Sequence, residues 1–223
     1  MLTIFGVPFS VHTRKVIVAA RAKGLDYRNE PVIPFNPPEN WRQLSPTGLI
    51  PVIAHDGFTL ADSAAICAYL ERLRPLPALL PAGAADCGRA LWLEQYCGSV
   101  LFGEVVRPLF YQKVIWPHIL QQGEADAEVI ARVEQEVVPR VFDYLEAQVE
   151  GPFMVNGSFS LADISVASNL INYHYLGFRV DAGRHPKLAG AFAHSLRDQA
   201  FATALAAEAP FAERAGLDRS FRA

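Results

Sequence analysis

The 223 residues carry 20 Lys and Arg against 23 Asp and Glu, a net charge of −3, and 51% of them are apolar. That balance gives core enough for one large domain or two modest ones and offers no basic footprint for nucleic acid or an anionic membrane. Three cysteines (Cys67, Cys87, Cys97) without a CxxC pair exclude a disulfide framework and a zinc site of the usual spacing. No apolar run approaches the roughly 20 residues that span a bilayer. The first charges, Arg14 and Lys15, follow the N-terminal apolar run, the reverse of a secretory signal, so a cytoplasmic protein is expected.

Leu2-Thr3-Ile4-Phe5 alternates like a short strand and stops at Gly6-Val7-Pro8. From about His12 to Lys23 the spacing of Val16, Ala19 and Ala20 predicts a helix, which Gly24 ends. Tyr27 to Ile33 returns to a strand pattern, and a βαβ crossover is the expected connection. Pro34 to Gly48 is a proline-rich surface excursion with a short helix around Trp41. Pro51–Ala54 and Phe58–Leu60 flank Asp56-Gly57, a hairpin turn signal. A helix from Ser63 to about Leu73 would bury Ile66, Leu70 and Leu73.

Prolines then mark a linker at 77–85, which divides an α/β half (1–76) from an all-helical half (86–223) without strand signals. One long helix is expected from Asp86 towards Trp116, bent near Pro108, and another from Glu124 to Val149 with a kink at Pro139. Phe159-Ser160-Leu161-Ala162-Asp163-Ile164 combines an N-cap, an acid at the third helical position and a hydrophobic staple, and Asp163 is assigned to that cap. Further helices follow His185-Pro186 and cover Phe192 to about Glu208.

Two stretches suggest a small-ligand clamp. Thr47-Gly48-Leu49-Ile50-Pro51 enters a strand through a proline, which cannot donate to a ladder and can follow a cis bond. The peptide groups of Ile50 would then be available to an extended peptide. Asp62-Ser63 opens the next helix and offers a carboxylate beside free N–H groups, a match for a zwitterionic peptide end. From these residues alone, a ligand site and an ordinary turn with a capped helix stand level.

The order of these signals resembles the cytosolic glutathione transferases over nearly the whole chain. Gly6, Ser10, Lys15 and Val16 match that family's G-x-x-x-S-x-x-x-x-[KR]-V; Pro46, Gly48, Ile50 and Pro51 match P-x-G-x-[IV]-P. Asp62, Ser63, Ala65 and Ile66 match [ED]-S-x-A-I, and Ser160 to Asp163 match [ST]-x-[AI]-D. Each motif is weak alone; four in order are specific. The resemblance implies a thioredoxin-like α/β half followed by the family's helical domain, glutathione as co-substrate without a metal, a homodimer, and a hydrophobic electrophile as the second substrate. It implies that glutathione contacts Ile50, Pro51, Asp62 and Ser63, that its sulfur lies beside the Ser10 hydroxyl, and that Thr13 is the next candidate for that contact. Phe5 stands near where tyrosine-type members carry their hydroxyl, so the serine-type classes are the better match.

At the glycine end of the peptide the chain departs from the pattern. Leu49 and Asn36 occupy positions where many relatives carry polar or basic side chains, with Arg42 a substitute. The resemblance places the electrophile between the halves, where Phe9 and Val11 face Phe102, Val106 and Phe110. His12 is read as an exposed or capping residue, and the Tyr173-His174-Tyr175 cluster as core packing. The expected activity is conjugation of glutathione to an electrophilic carbon. A glutathione-dependent reductase, peroxidase or isomerase is the alternative within the fold, and a non-catalytic binding or scaffold protein is the alternative outside enzymology.

Overall fold

In the computed structural model, which describes residues 1–222, alternation along β1 (Leu2–Phe5) gives the sheet two different faces. Leu2 and Ile4 point into the main core at 2% and 0% exposure, while Phe5 joins Val32, Trp41 and Val52 on the opposite face. β1 pairs in parallel with β2 (Tyr27–Glu30) after α1 (Val11–Ala22), and antiparallel with β3 (Val52–His55), which pairs with β4 (Phe58–Ala61). The order is β2-β1-β3-β4. Asp56 and Gly57, both at positive φ, make the two-residue turn between β3 and β4. α2 (Trp41–Leu44) is one turn anchored by its buried tryptophan, and α3 (Ser63–Leu73) closes this half. Regular β2 pairing ends at Glu30, short of the expected Ile33, because four-residue β1 offers it no further partner; Val7 N–H still reaches the Val32 carbonyl at 3.2 Å. Leu73, expected in the core, is 40% exposed at the last turn of α3.

The second half is helical: α4 (84–119), α5 (127–148), α6 (Leu161–Tyr175), α7 (Pro186–Arg197) and α8 (Gln199–Arg214). α6 is its axis, with every residue buried against α1, α4, α7 or their neighbours. Its start follows the sequence signal: the Asp163 carboxylate accepts from the Ser160 N–H (2.9 Å), the Ser160 hydroxyl (2.7 Å) and the Met154 N–H (2.7 Å). α5 begins at Ala127, later than the expected Glu124, because Asp126 caps it by accepting from the Glu128 and Val129 N–H groups.

Changes of helix winding accompany Pro108, Pro117 and Pro139. Stretches Cys97–Val106 and Tyr111–Ile119 of α4, and Val133–Val137 of α5, carry i→i−5 bonds, among them Arg107 N–H to the Phe102 carbonyl and Val138 N–H to the Val133 carbonyl. A proline lacks the N–H of the normal ladder and crowds the carbonyl four residues back; the wider turns beside it relieve both constraints.

α1 lies between the halves and is buried without interruption from Thr13 to Ala20, Arg14 and Lys15 included. Lys15 pairs with Glu94 of α4, and Arg14, fully buried, pairs with Glu208 of α8 at 2.9 Å. Lys23 reaches Glu71 at 2.6 Å and the Arg74 and Pro77 carbonyls, tying the end of α1 to the linker. Buried ions are tolerated only when so compensated.

Candidate functional site

Ser10 is the N-cap of α1, in extended conformation (φ −65°, ψ 134°), and its carbonyl accepts the Arg14 N–H at 2.8 Å. Its half-buried hydroxyl makes no cap bond, so the group that a helix start would ordinarily consume is left for another partner. Thr13 is different. It is fully buried, and its Oγ1 lies 2.4 Å from where a Cβ on Gly6 would stand, so this hydroxyl is sealed beneath the β1–α1 turn. Of the two hydroxyls considered for the sulfur, Ser10 is the one with a free face.

Asp62 caps α3 through one oxygen, Oδ1, which accepts from the Ala64 and Ala65 N–H groups at 3.0 Å each. The residue is exposed and held at φ +76°, ψ 124°, a conformation that costs a non-glycine residue on the order of 1–3 kcal/mol and is concentrated at functional sites. Ser63 follows, 6% exposed, with its Oγ 3.4 Å from His12 Nδ1. Ile50 precedes a cis Ile50–Pro51 bond; β3 starts only at Val52, so the Ile50 N–H and carbonyl stand outside the ladder. Pro51 is buried.

The flank of these residues carries one apolar side chain, Leu49, beside polar Asn36 and basic Arg42. Leu49 is 63% exposed, its carbonyl accepting from the Ser45 hydroxyl at 2.7 Å and its N–H donating to Thr47 Oγ1 at 3.3 Å. Asn36 is exposed on the excursion, with its N–H donated to the Ile33 carbonyl. Arg42 lies over Gly48 and donates to the Pro46 carbonyl at 3.3 Å, which leaves an exposed guanidinium beside the clamp.

His12 belongs to this site, although sequence reading placed it as an exposed or capping residue. On the first turn of α1 it touches Ser63 on one side, and its ring meets Phe102 of α4 edge-on at 4.5 Å between centroids. Burial, and then the Lys15 ammonium, lower its pKa to about 4 against a weaker opposing pull from Asp62. At neutral pH it is therefore an uncharged imidazole. Its spacing two residues beyond Ser10 was the only available signal, and nothing local distinguishes that from a capping histidine.

Of the residues expected to face an electrophile, Phe9, Phe102 and Phe110 are half-buried and retain surface. Val11 and Val106 are buried, at 3% and 1% exposure, and so present less surface than these three aromatic rings. Burial raises the Cys67 thiol to about 12 and pushes Cys97 up further, so neither is a thiolate at neutral pH. Among the described residues no group of three His, Cys, Asp or Glu side chains is placed to hold a metal ion, and no helix is long and apolar enough to cross a membrane. A crevice of about 810 Å³ lies elsewhere, lined by Arg21, Tyr27, Phe159 and Thr203, and includes none of the clamp residues.

Comparison with known proteins gives a consistent picture. The model of the glutathione S-transferase N-terminal domain matches residues 4–78, and that of the C-terminal domain matches residues 111–199. A glutathione S-transferase of Triticum aestivum is 26% identical over 95% of this chain and 96% of its own. A maleylacetoacetate isomerase of Dictyostelium discoideum is 29% identical over 78% of this chain and 77% of its own. The crystal structure of a glutathione S-transferase from Rhodospirillum rubrum F11 superposes with a TM-score of 0.82 at 28% identity, covering 92% of each chain.

Proposed function

Because the chain belongs to the cytosolic glutathione S-transferase family, we propose that it binds glutathione across Ile50, Pro51, Asp62 and Ser63 and uses its thiolate to attack an electrophilic carbon. The observation that carries this reading is the Ser10 hydroxyl, which sits at the head of α1 and is not consumed by the helix start. It donates to the sulfur and favours the charged form, and the N–H groups and dipole of α1 act in the same direction. A free thiol titrates near ~8.5, so each unit of lowering corresponds to about 1.4 kcal/mol in favour of thiolate. Ser10 is a stabiliser of the nucleophile. His12, neutral, adds no positive charge, which leaves this work to Ser10 and the helix end.

At the far end of the peptide, Asp62 faces the γ-glutamyl ammonium and the α3 N-terminus with Ser63 receives its carboxylate. The acceptor lies between Phe9 and the α4 residues Phe102 and Phe110. The protein works as a cytoplasmic homodimer in this reading. Ser10→Ala lowers turnover with an aryl-halide acceptor and raises the apparent pKa of bound thiol; unchanged turnover and thiol pKa would sink the assignment.

A second reading is favoured by the similarity to a maleylacetoacetate isomerase. There the same thiolate adds to a cis alkene, the resulting single bond rotates, and expulsion of the thiolate leaves the trans alkene with glutathione regenerated. Turnover of a maleyl substrate without net loss of thiol distinguishes isomerisation from conjugation. A non-catalytic role is separated from both by calorimetry: it requires no turnover of either substrate class, and a scaffold that has lost the ligand shows no glutathione binding at millimolar concentration.

A further inference from the structure

One guanidinium joins the loop that carries Ser10 to the helical half. Arg14 is fully buried, and each nitrogen is engaged. Nε donates to both oxygens of Glu208 (3.1 and 2.9 Å), and Nη1 donates to the Ser168 carbonyl and to Asn172 Oδ1, both at 2.8 Å. Nη2 divides its bonds between Glu208 Oε1 (2.9 Å) and the carbonyl of Phe9 (3.0 Å), the residue immediately before Ser10. The backbone N–H of Arg14 meanwhile donates to the Ser10 carbonyl at 2.8 Å. Arg14 therefore holds the peptides on both sides of Ser10. Glu208 itself, 1% exposed, also accepts the Tyr175 hydroxyl at 2.5 Å, so the carboxylate that orients Arg14 is fixed from α6 as well.

We propose that Arg14, oriented by Glu208, is a positioning residue for the thiolate chemistry: it fixes the Phe9–Ser10 peptide so that the Ser10 hydroxyl stays aimed at the sulfur. The inference rests on the assignment of Ser10 made above. It makes α8, remote in sequence, part of the apparatus that sets the thiol pKa. A planar fork with five donors can span Glu208, Ser168, Asn172 and the Phe9 carbonyl together; a lysine ammonium at this site keeps the charge facing Glu208 but cannot span the set.

Arg14→Lys in the full chain is the test, with and without Ser10→Ala. With Ser10 present, the substitution lowers kcat about tenfold, within the range that small misplacement of a reacting group produces. It raises the pKa of bound glutathione by about one unit, the same factor of ten in thiolate, and leaves KM for glutathione within about twofold, since the clamp is untouched. With Ser10→Ala already present, Arg14→Lys moves the thiol pKa no further, because its effect passes through that hydroxyl. A folded Arg14→Lys protein with unchanged kcat and thiol pKa overturns the proposal, as does an equal pKa rise in both backgrounds. If Arg14→Lys does not fold, Glu208→Gln, which keeps the shape and removes the orienting charge, carries the same comparison in both backgrounds. Ser10→Ala without effect on thiol pKa defeats the parent reading; Ser10→Ala with an effect and Arg14→Lys without one defeats this proposal alone.

Discussion

Asp62 has two duties that one substitution can separate. Its Oδ1 caps α3 by accepting two backbone N–H groups at 3.0 Å, and its charge faces the ammonium of the bound peptide in the proposed complex. Asparagine is as good a cap as aspartate and has the same shape, so Asp62→Asn keeps the helix start and removes only the charge. The expected change in stability is under about 0.5 kcal/mol. A hydrogen bond to a charged group contributes roughly 1.5–3 kcal/mol when well formed, and the exposure of Asp62 reduces that to about 1–2 kcal/mol. At 1.4 kcal/mol per decade, glutathione Kd rises about 5- to 30-fold. Calorimetric titration with glutathione, beside a thermal melt, reads both quantities. Asp62→Ala provides the contrast, since it loses the cap too and costs about 1 kcal/mol of stability in addition. An Asp62→Asn protein that binds glutathione as tightly as the parent refutes the clamp, whatever its melting temperature.

Two further outcomes follow from groups at the flank and in the core. Leu49→Lys, at a side chain 63% exposed, places an ammonium beside the glycine end of the peptide and tightens glutathione binding by up to about 5-fold at low salt. The gain fades as ionic strength rises and is absent for γ-glutamylcysteine ethyl ester; equal gains for both thiols contradict it. Asp163 has its pKa raised by burial to about 6, against ~3.9 in the unfolded chain, so between those values the folded state holds more protons and stability falls as pH rises. That contribution is complete below about pH 4 and lost above about pH 6, by about 2–3 kcal/mol. Denaturant midpoints of the parent and Asp163→Asn, compared at pH 4 and pH 7, should show it, and a pH-independent difference rejects it.

Legibility in the sequence followed locality. The hairpin at Asp56-Gly57, the caps at Asp62 and Ser160 and the proline before β3 are specified by residues a few positions apart, and each element stands where those residues place it. The widened turns beside Pro108 and Pro139 were read as a bend and a kink, because a proline's sequence context does not say which way a helix relieves the missing bond. The buried cations were not readable at all. Glu94 lies 79 positions from Lys15 and Glu208 lies 194 from Arg14, and only tertiary packing brings them together. The same holds beside the candidate site, where the spacing of Val11 and Val106 does not show that packing leaves them only 3% and 1% exposed.

The burial of α1 between the halves has a consequence for how this architecture can be recombined. One family model ends at residue 78 and the other begins at residue 111, which invites exchange of halves between relatives. Yet Arg14 and Lys15 belong to the first half, and the acids that neutralise them, Glu208 and Glu94, belong to the second. A hybrid whose donor half lacked either acid would strand a cation in a dry interface, at a cost of several kcal/mol. The linker is a boundary of pattern; the boundary of exchange runs through the charge pairs, and a graft must carry them together.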